Sequence, residues 1–261
     1  MIGIVLLSIA ATELTVALLA GRGPGLAPSA RHRLIGLGVG AAVTLVALLL
    51  AGTPSASADP APFLLAASMA LVLTSAWTAA GTRPWASPVL LPVLAVLTGL
   101  ELAAYGTLDQ ALGTGWPVLA GTLAFLIEPA NRISRDVLEL AGRRDERLQA
   151  AERTRTERTP ADPTPAEPGS VDSATDPAAG LKGGRYIGPV ERILMTGLGL
   201  AAAYPVVAAL MAAKGIVRFP EINADAGHGS RAEEFLVGSL TSWSLAFLAV
   251  LLLTLTAPVR L

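Results

Sequence analysis

The 261-residue chain contains no cysteine, which removes disulfides, thiolate metal sites and cysteine nucleophiles together. Histidine is almost missing as well. His32 and His228 stand nearly two hundred residues apart, so no local imidazole metal motif exists. Charged residues make up only 15% of the chain and nearly cancel, to a net charge of −1, which offers nucleic acid no basic surface. Of the 19 Lys and Arg residues, only Lys182 and Lys214 are lysines. That skew, with abundant alanine, points to a GC-rich bacterial genome. HExxH, GxSxG and Asp-rich metal motifs are also absent, so no metal or cofactor is implied.

What the chain has is apolar length. At 52% hydrophobic residues with positive mean hydropathy, it is too oily for a soluble domain of this size and reads as a polytopic membrane protein. Ile2–Ala20, interrupted only by Glu13, is long enough to cross a hydrocarbon core about 30 Å thick. A mid-run carboxylate and the lack of a basic start make it a retained helix rather than a signal peptide. Leu34–Gly52 is the second span. Arg31-His32-Arg33 before it and Ala56-Ser57-Ala58 after it imitate a signal peptide, but its place behind another span favours a transmembrane helix. Gly36-x-x-x-Gly40 within it permits close helix approach. Pro62–Ala80 and Pro88–Tyr105 are the third and fourth spans, and the fifth runs from about Gly115 to Glu128.

Beyond Glu128 the apolar residues Ile133, Val137, Leu138 and Leu140 recur at helical spacing between charges, predicting an interfacial or cytoplasmic extension of the fifth helix. From about Arg153 to Gly184, prolines alternate with Thr, Ser, Asp and Glu and apolar anchors vanish. Such a stretch cannot bury enough surface to offset ordering its backbone, so a disordered linker is expected. Ile193–Ala213 is the sixth span, with Tyr204-Pro205 predicting a kink, and Phe235–Ala257 is the seventh. The expected fold is therefore an all-α polytopic bundle of about seven spans, with a disordered cytoplasmic linker between spans five and six. It divides into a five-span domain (1–129), a helical extension (130–152), a linker (153–184) and a C-terminal two-span module (185–261).

Basic residues sort onto alternate loops: Arg22, Arg31 and Arg33, then Arg83, then Arg132, Arg135, Arg143 and Arg144. The expected location is a bacterial inner membrane, crossed several times, and positive-inside counting sets the orientation. It puts the N-terminus outside, with residues 141–184 and the C-terminus in the cytoplasm. Lys214, Arg218 and Arg231 oppose this, because the same arrangement puts their loop outside. Either protein contacts hold those cations or the last hairpin does not cross as drawn.

A charge at mid-membrane costs about 2.5–3.5 kcal/mol on insertion scales, so each one needs a reason. Depth along the predicted spans groups Glu101, Lys214, Arg218 and Glu234 in one outer layer, with Glu13 somewhat below. Lys214, Arg218, Glu221 and Glu234 are candidates to bind an anionic small molecule or lipid head group, since basic residues at i and i+4 share a helix face. Pro220 is expected to end the helix just before Glu221. Glu13 and Glu101 are candidate proton-coupling groups, because burial raises a carboxyl pKa. The alternative is structural: Lys214 and Arg218 snorkel while Glu221, Glu233 and Glu234 neutralise them. Glu191-Arg192 forms a separate pair at the inner end, with Glu191 suited to a helix N-terminus. Glu128, Asn131 and Arg132 share its depth.

Three blocks in the last quarter carry a resemblance. Ile187-Gly188-x-x-Glu191-Arg192 comes first. Ala212-Ala213-Lys214-x-x-x-Arg218-Phe219-x-Glu221 follows, and then Glu233-Glu234-Phe235-x-x-Gly238 with Ser242. Over residues 184–250 the chain resembles the C-terminal part of an uncharacterised family of bacterial polytopic membrane proteins. The resemblance implies that these polar positions form one unit and supplies no reaction. The first expectation is accordingly a transporter or lipid-linked carrier with an outward-facing charged cavity. The alternative is a noncatalytic scaffold or accessory subunit that binds a cytoplasmic protein through residues 130–184. A membrane enzyme acting on a lipid or polyprenyl substrate ranks last.

Overall fold

A computed structural model describes residues 2–20, 28–50, 61–105, 116–157, 184–223 and 230–256. The described residues form nine α-helices and no strand: α1 (Ile2–Leu19), α2 (Ala30–Leu50), α3 (Ala61–Ala79), α4 (Ala86–Tyr105), α5 (Trp116–Phe125), α6 (Glu128–Glu157), α7 (Gly184–Leu200), α8 (Tyr204–Asn223) and α9 (Ser230–Thr256). A single 3-10 turn, Ala80–Thr82, joins α3 towards α4. Three helices are long and apolar enough to cross a membrane, Ile2–Leu19, Ala30–Leu50 and Ala232–Thr256, while the apolar parts of α3, α4 and α5 are shorter.

The first helix is the hub. It packs against α2, α3, α4, α5 and α6, and Ile2, Ile4, Val5 and Ile9 are almost fully buried. Small residues make this closeness possible. A Cβ added at Gly36 would lie 2.7 Å from Val16 Cγ2, and one at Gly40 would overlap the Thr12 hydroxyl and sit 3.0 Å from the Ser8 carbonyl. The anticipated Gly36/Gly40 seam is therefore the α1–α2 contact, with Gly3 and Gly121 doing the same between α1 and α5. The contacts set direction: Ser8 meets both Gly40 and Thr74, so α1 and α3 run one way and α2 the other.

The fifth apolar segment stops at Phe125, and α6 leaves it directly as a 30-residue helix with charges throughout. The expected extension is thus present and reaches Glu157, so its helix takes in the first residues assigned to the linker. The remainder of that linker, 158–183, lies outside the described residues.

The sixth span departs from expectation. Instead of one kinked crossing from Ile193 to Ala213, the chain ends α7 at Leu200 and starts α8 at Tyr204. Ala202 adopts a left-handed φ of 52°, the Ala203 N–H donates to the Leu198 carbonyl at 2.9 Å, and the Ala202 N–H donates to the Gly199 carbonyl at 3.1 Å. These two bonds form a Schellman stop. Pro205 then falls in the first turn of α8, where a missing N–H costs nothing, and so it begins a helix rather than bending one. Lys214 meets Glu191 across the hairpin, so α8 folds back beside α7. Pro220 does not end α8, which continues to Asn223. Near a helix end only one ladder bond is forfeited, and the last turn absorbs it.

Helix α9 runs alongside α7, with Trp243 beside Glu191 and Ala246 beside Thr196, and against α6, with Leu138 next to Gly238. Its 27 residues span about 40 Å, more than a hydrocarbon core about 30 Å thick. Ile2 of α1 and Leu255 of α9 line one cavity, together with Leu6 and Leu245. Helices α7 and α8 thus form a hairpin, joined across by Lys214 and Glu191.

Candidate functional site

Polar contacts concentrate at one end of the bundle, where α1 and α3 finish and α2, α4 and α6 begin. Glu13, six residues before the end of α1, accepts a 2.5 Å hydrogen bond from Arg132 Nη1 and a 2.7 Å bond from Trp77 Nε1. Arg132 Nη2 donates to the Trp77 carbonyl at 3.2 Å, and its guanidinium lies 4.8 Å over the Trp77 ring. Trp77 is wholly buried and meets Phe125 edge-on at 5.8 Å. On the far side of Arg132, Asp136 lies 3.7 Å from Nε and accepts from the Ser87 hydroxyl. Burial pushes the Asp136 carboxyl above its ordinary range, against the lowering pull of the Ser87 bond and of Arg132. The cluster joins α1, α3, α4 and α6.

A second cluster locks the C-terminal helices to the first five. Arg192, only 2% exposed, donates from Nε to the Leu126 carbonyl at 2.8 Å and from Nη2 to the Ile127 carbonyl at 3.3 Å. It also reaches Asn131 Oδ1 at 2.5 Å and the Ser242 hydroxyl at 3.3 Å. The two carbonyls sit where α5 has stopped and α6 begins, so Arg192 places a cation at a buried helix C-terminus, and the Ile127 carbonyl also accepts the Asn131 N–H at 3.2 Å. Its neighbour Glu191 accepts from Lys214 Nζ at 2.6 Å and from Trp243 Nε1 at 2.9 Å. Lys214 Nζ also stands 5.6 Å from the centre of the Trp243 ring.

These contacts rearrange the depth layer expected from the spans. Lys214 is joined to Glu191, expected at the opposite face of the membrane, and Glu13, expected near mid-span, is joined to Arg132. Glu191 lies two turns inside α7, too far from its N-terminus for the helix dipole to hold it; Lys214 and Trp243 hold it instead. Arg218 follows Lys214 by one turn and is exposed, as are Glu233 and Glu234 in the opening turns of α9. Glu221 belongs to the last turn of α8, and the position of its side chain lies outside the described residues. The same holds for the side chain of Glu101, whose place in α4 is fourteen residues beyond Ser87, about 21 Å along the axis. Along α4, Glu101 is thereby set apart from Ser87 in the first cluster.

Asn131 shares a depth with Arg192 in the sequence and is its partner in space. Trp77, Ser87, Asp136 and Trp243 carried no such signal, beyond the general tendency of tryptophan to sit near a membrane interface. Among the described residues no group of three metal-ligating side chains gathers. The cavity between α1, α4, α5 and α9 holds about 240 Å³ and is walled almost entirely by hydrocarbon, including Leu94, Phe125, Leu248 and Leu252. No family model, curated protein or solved structure matches the chain.

Proposed function

We propose that the protein is a noncatalytic membrane scaffold or accessory subunit that presents α6 and the following tether to a cytoplasmic protein. One observation carries this reading. The ionisable side chains sunk among the helices, Glu13, Arg132, Asp136, Glu191, Arg192 and Lys214, are engaged with one another or with backbone carbonyls and so act as fasteners. In this reading α1 to α4 and α9 cross the membrane, and α5, whose 10 residues rise only about 15 Å, makes a sixth span together with the turn and first residues of α6. Hairpin α7–α8 dips in from the arginine-rich end, and positive-inside counting makes that end cytoplasmic. Both termini then face outward, and Lys214, Arg218 and Arg231 come to the cytoplasmic side where the rule wants them. Deleting residues 159–180 is the test. A scaffold loses its partner in pull-down from detergent extracts while its own fold persists; retention of every partner by the deletion variant defeats the reading.

A lipid-linked carrier is the second reading, favoured by the hydrocarbon-walled cavity. In it, Lys214 would leave Glu191 to meet an anionic group, with Arg218 beside it. Substituting both Lys214 and Arg218 by Ala in a reconstituted uptake or flipping assay decides this. Unchanged transport removes the two cations from any such role.

A further inference from the structure

A third group of cations gathers at the arginine-rich end, beside the first ion-pair cluster. Helix α2 begins behind Ser29, whose hydroxyl accepts the backbone N–H of His32 at 3.3 Å. That start sends Arg33 toward the turn Ala80–Thr82, which Arg132 reaches from α6. The space where a side chain at Gly81 would begin is bordered by Arg132 Nη2 at 3.5 Å and Arg33 Nη1 at 3.6 Å, so these two nitrogens lie no more than about 7 Å apart. Arg132 has Glu13 and Asp136 on its other sides. Arg33 is half-buried and forms no ion pair among the described residues. Next to it in the chain, His32 Nδ1 is buried without a hydrogen-bond partner. Arg83 continues the basic patch, its guanidinium lying 5.8 Å from the centre of the exposed Trp85 ring.

Two guanidiniums that converge on one point repel unless an anion stands between them. Gly81 supplies no side chain to that point. A tetrahedral anion with several oxygens suits the gap, because each guanidinium offers planar forked donors and Arg132 has spent only part of its five on Glu13 and the Trp77 carbonyl. The turn lies where the apolar parts of α3 and α4 end, and Trp85 marks the same level, which in a membrane is that of the head groups. Basic pockets between helices at the cytoplasmic face are where anionic lipid head groups bind. We propose that Arg33 and Arg132 hold the phosphate of an anionic phospholipid over Gly81, in the angle between the start of α2 and the α3–α4 turn. This goes beyond the scaffold reading and does not depend on it, since a bound lipid needs no cytoplasmic partner.

The experiment is lipid retention by the full chain, measured by native mass spectrometry after release from nanodiscs containing phosphatidylglycerol or phosphatidylcholine alone. The expected result is preferential retention of phosphatidylglycerol, reduced at least roughly ten-fold in R33Q and unchanged in R31Q, since Arg31 is exposed at the same helix end. A second variant guards against misfolding. G81D places a carboxylate between the guanidiniums, so it should abolish retention while melting no lower than the wild type. Equal retention by wild type and R33Q overturns the proposal, as does retention that survives in folded G81D. Inorganic phosphate at millimolar concentration serves as the other arm. If it displaces the lipid completely and binds with comparable affinity, the occupant is a soluble anion and the lipid assignment falls.

Discussion

Lys214 Nζ lies 2.6 Å from Glu191 Oε2, although a span drawn from Ile193 to Ala213 would set these residues at opposite faces of a membrane. One ion pair therefore decides whether the segment crosses or returns. Because the chain lacks cysteine, single cysteines report the answer cleanly. Phe219→Cys on exposed α8 and Gly142→Cys on exposed α6 should both label from the cytoplasmic side with a membrane-impermeant maleimide. Labelling of Phe219→Cys only from the outside would restore the single crossing.

The stop between α7 and α8 places an alanine in the left-handed region, a conformation that costs an L-residue on the order of 1 kcal/mol and glycine almost nothing. Ala202→Gly should raise the thermal midpoint by a few degrees or leave it unchanged. A marked fall would mean that the turn is not held in this geometry.

Arg192, at 2% exposure, is more deeply buried than Arg132 and Glu128, and two of its four partners are backbone carbonyls. Replacing it by methionine keeps much of the volume and abandons the Leu126 carbonyl and Asn131 Oδ1, and a buried acceptor left unsatisfied costs about 1–3 kcal/mol. The expected loss is on the order of 3 kcal/mol in reversible unfolding, with Arg192→Lys recovering only part of it, since one ammonium cannot span the same acceptors. A loss below about 1 kcal/mol would show that water replaces the side chain.

Glu13 and Arg132 share a site with little solvent, at 16% and 10% side-chain exposure. Removing one partner leaves the other buried and uncompensated, so Glu13→Gln should cost about 3 kcal/mol or more. The double variant with Arg132→Gln should cost much less than the sum of the two single changes. Additive effects in this double-mutant cycle would mean that the two do not stabilise each other.

Gly40 and Gly38 stand two residues apart in α2 with opposite surroundings. An added side chain at Gly40 collides with Thr12 and Ser8, whereas nothing lies within 4 Å of Gly38. Gly40→Val should destabilise the bundle by about 1–3 kcal/mol through overpacking, and Gly38→Val should be close to neutral in detergent melting. Similar behaviour of the two would dissolve the α1–α2 seam.

Hydropathy runs and charge spacing determined a good deal of this protein. They gave the class, the placement of α1 to α5 and α9, the charged extension after Glu128 and the close approach at Gly36 and Gly40, because each depends on residues near one another in the chain. They also marked Glu13, Arg192 and Lys214 as charges that need a reason. Only the tertiary structure decided which partner each takes, since Glu13–Arg132 and Arg192–Leu126 join residues far apart in sequence. It also decided that α7 and α8 turn back. An apolar run through Gly199, Ala202 and Pro205 supports a crossing or a hairpin about equally well by composition. The Glu191–Lys214 pair, the Trp243 bond and the Schellman stop at Ala202 are what favour the hairpin, and none of them is visible until the helices have packed.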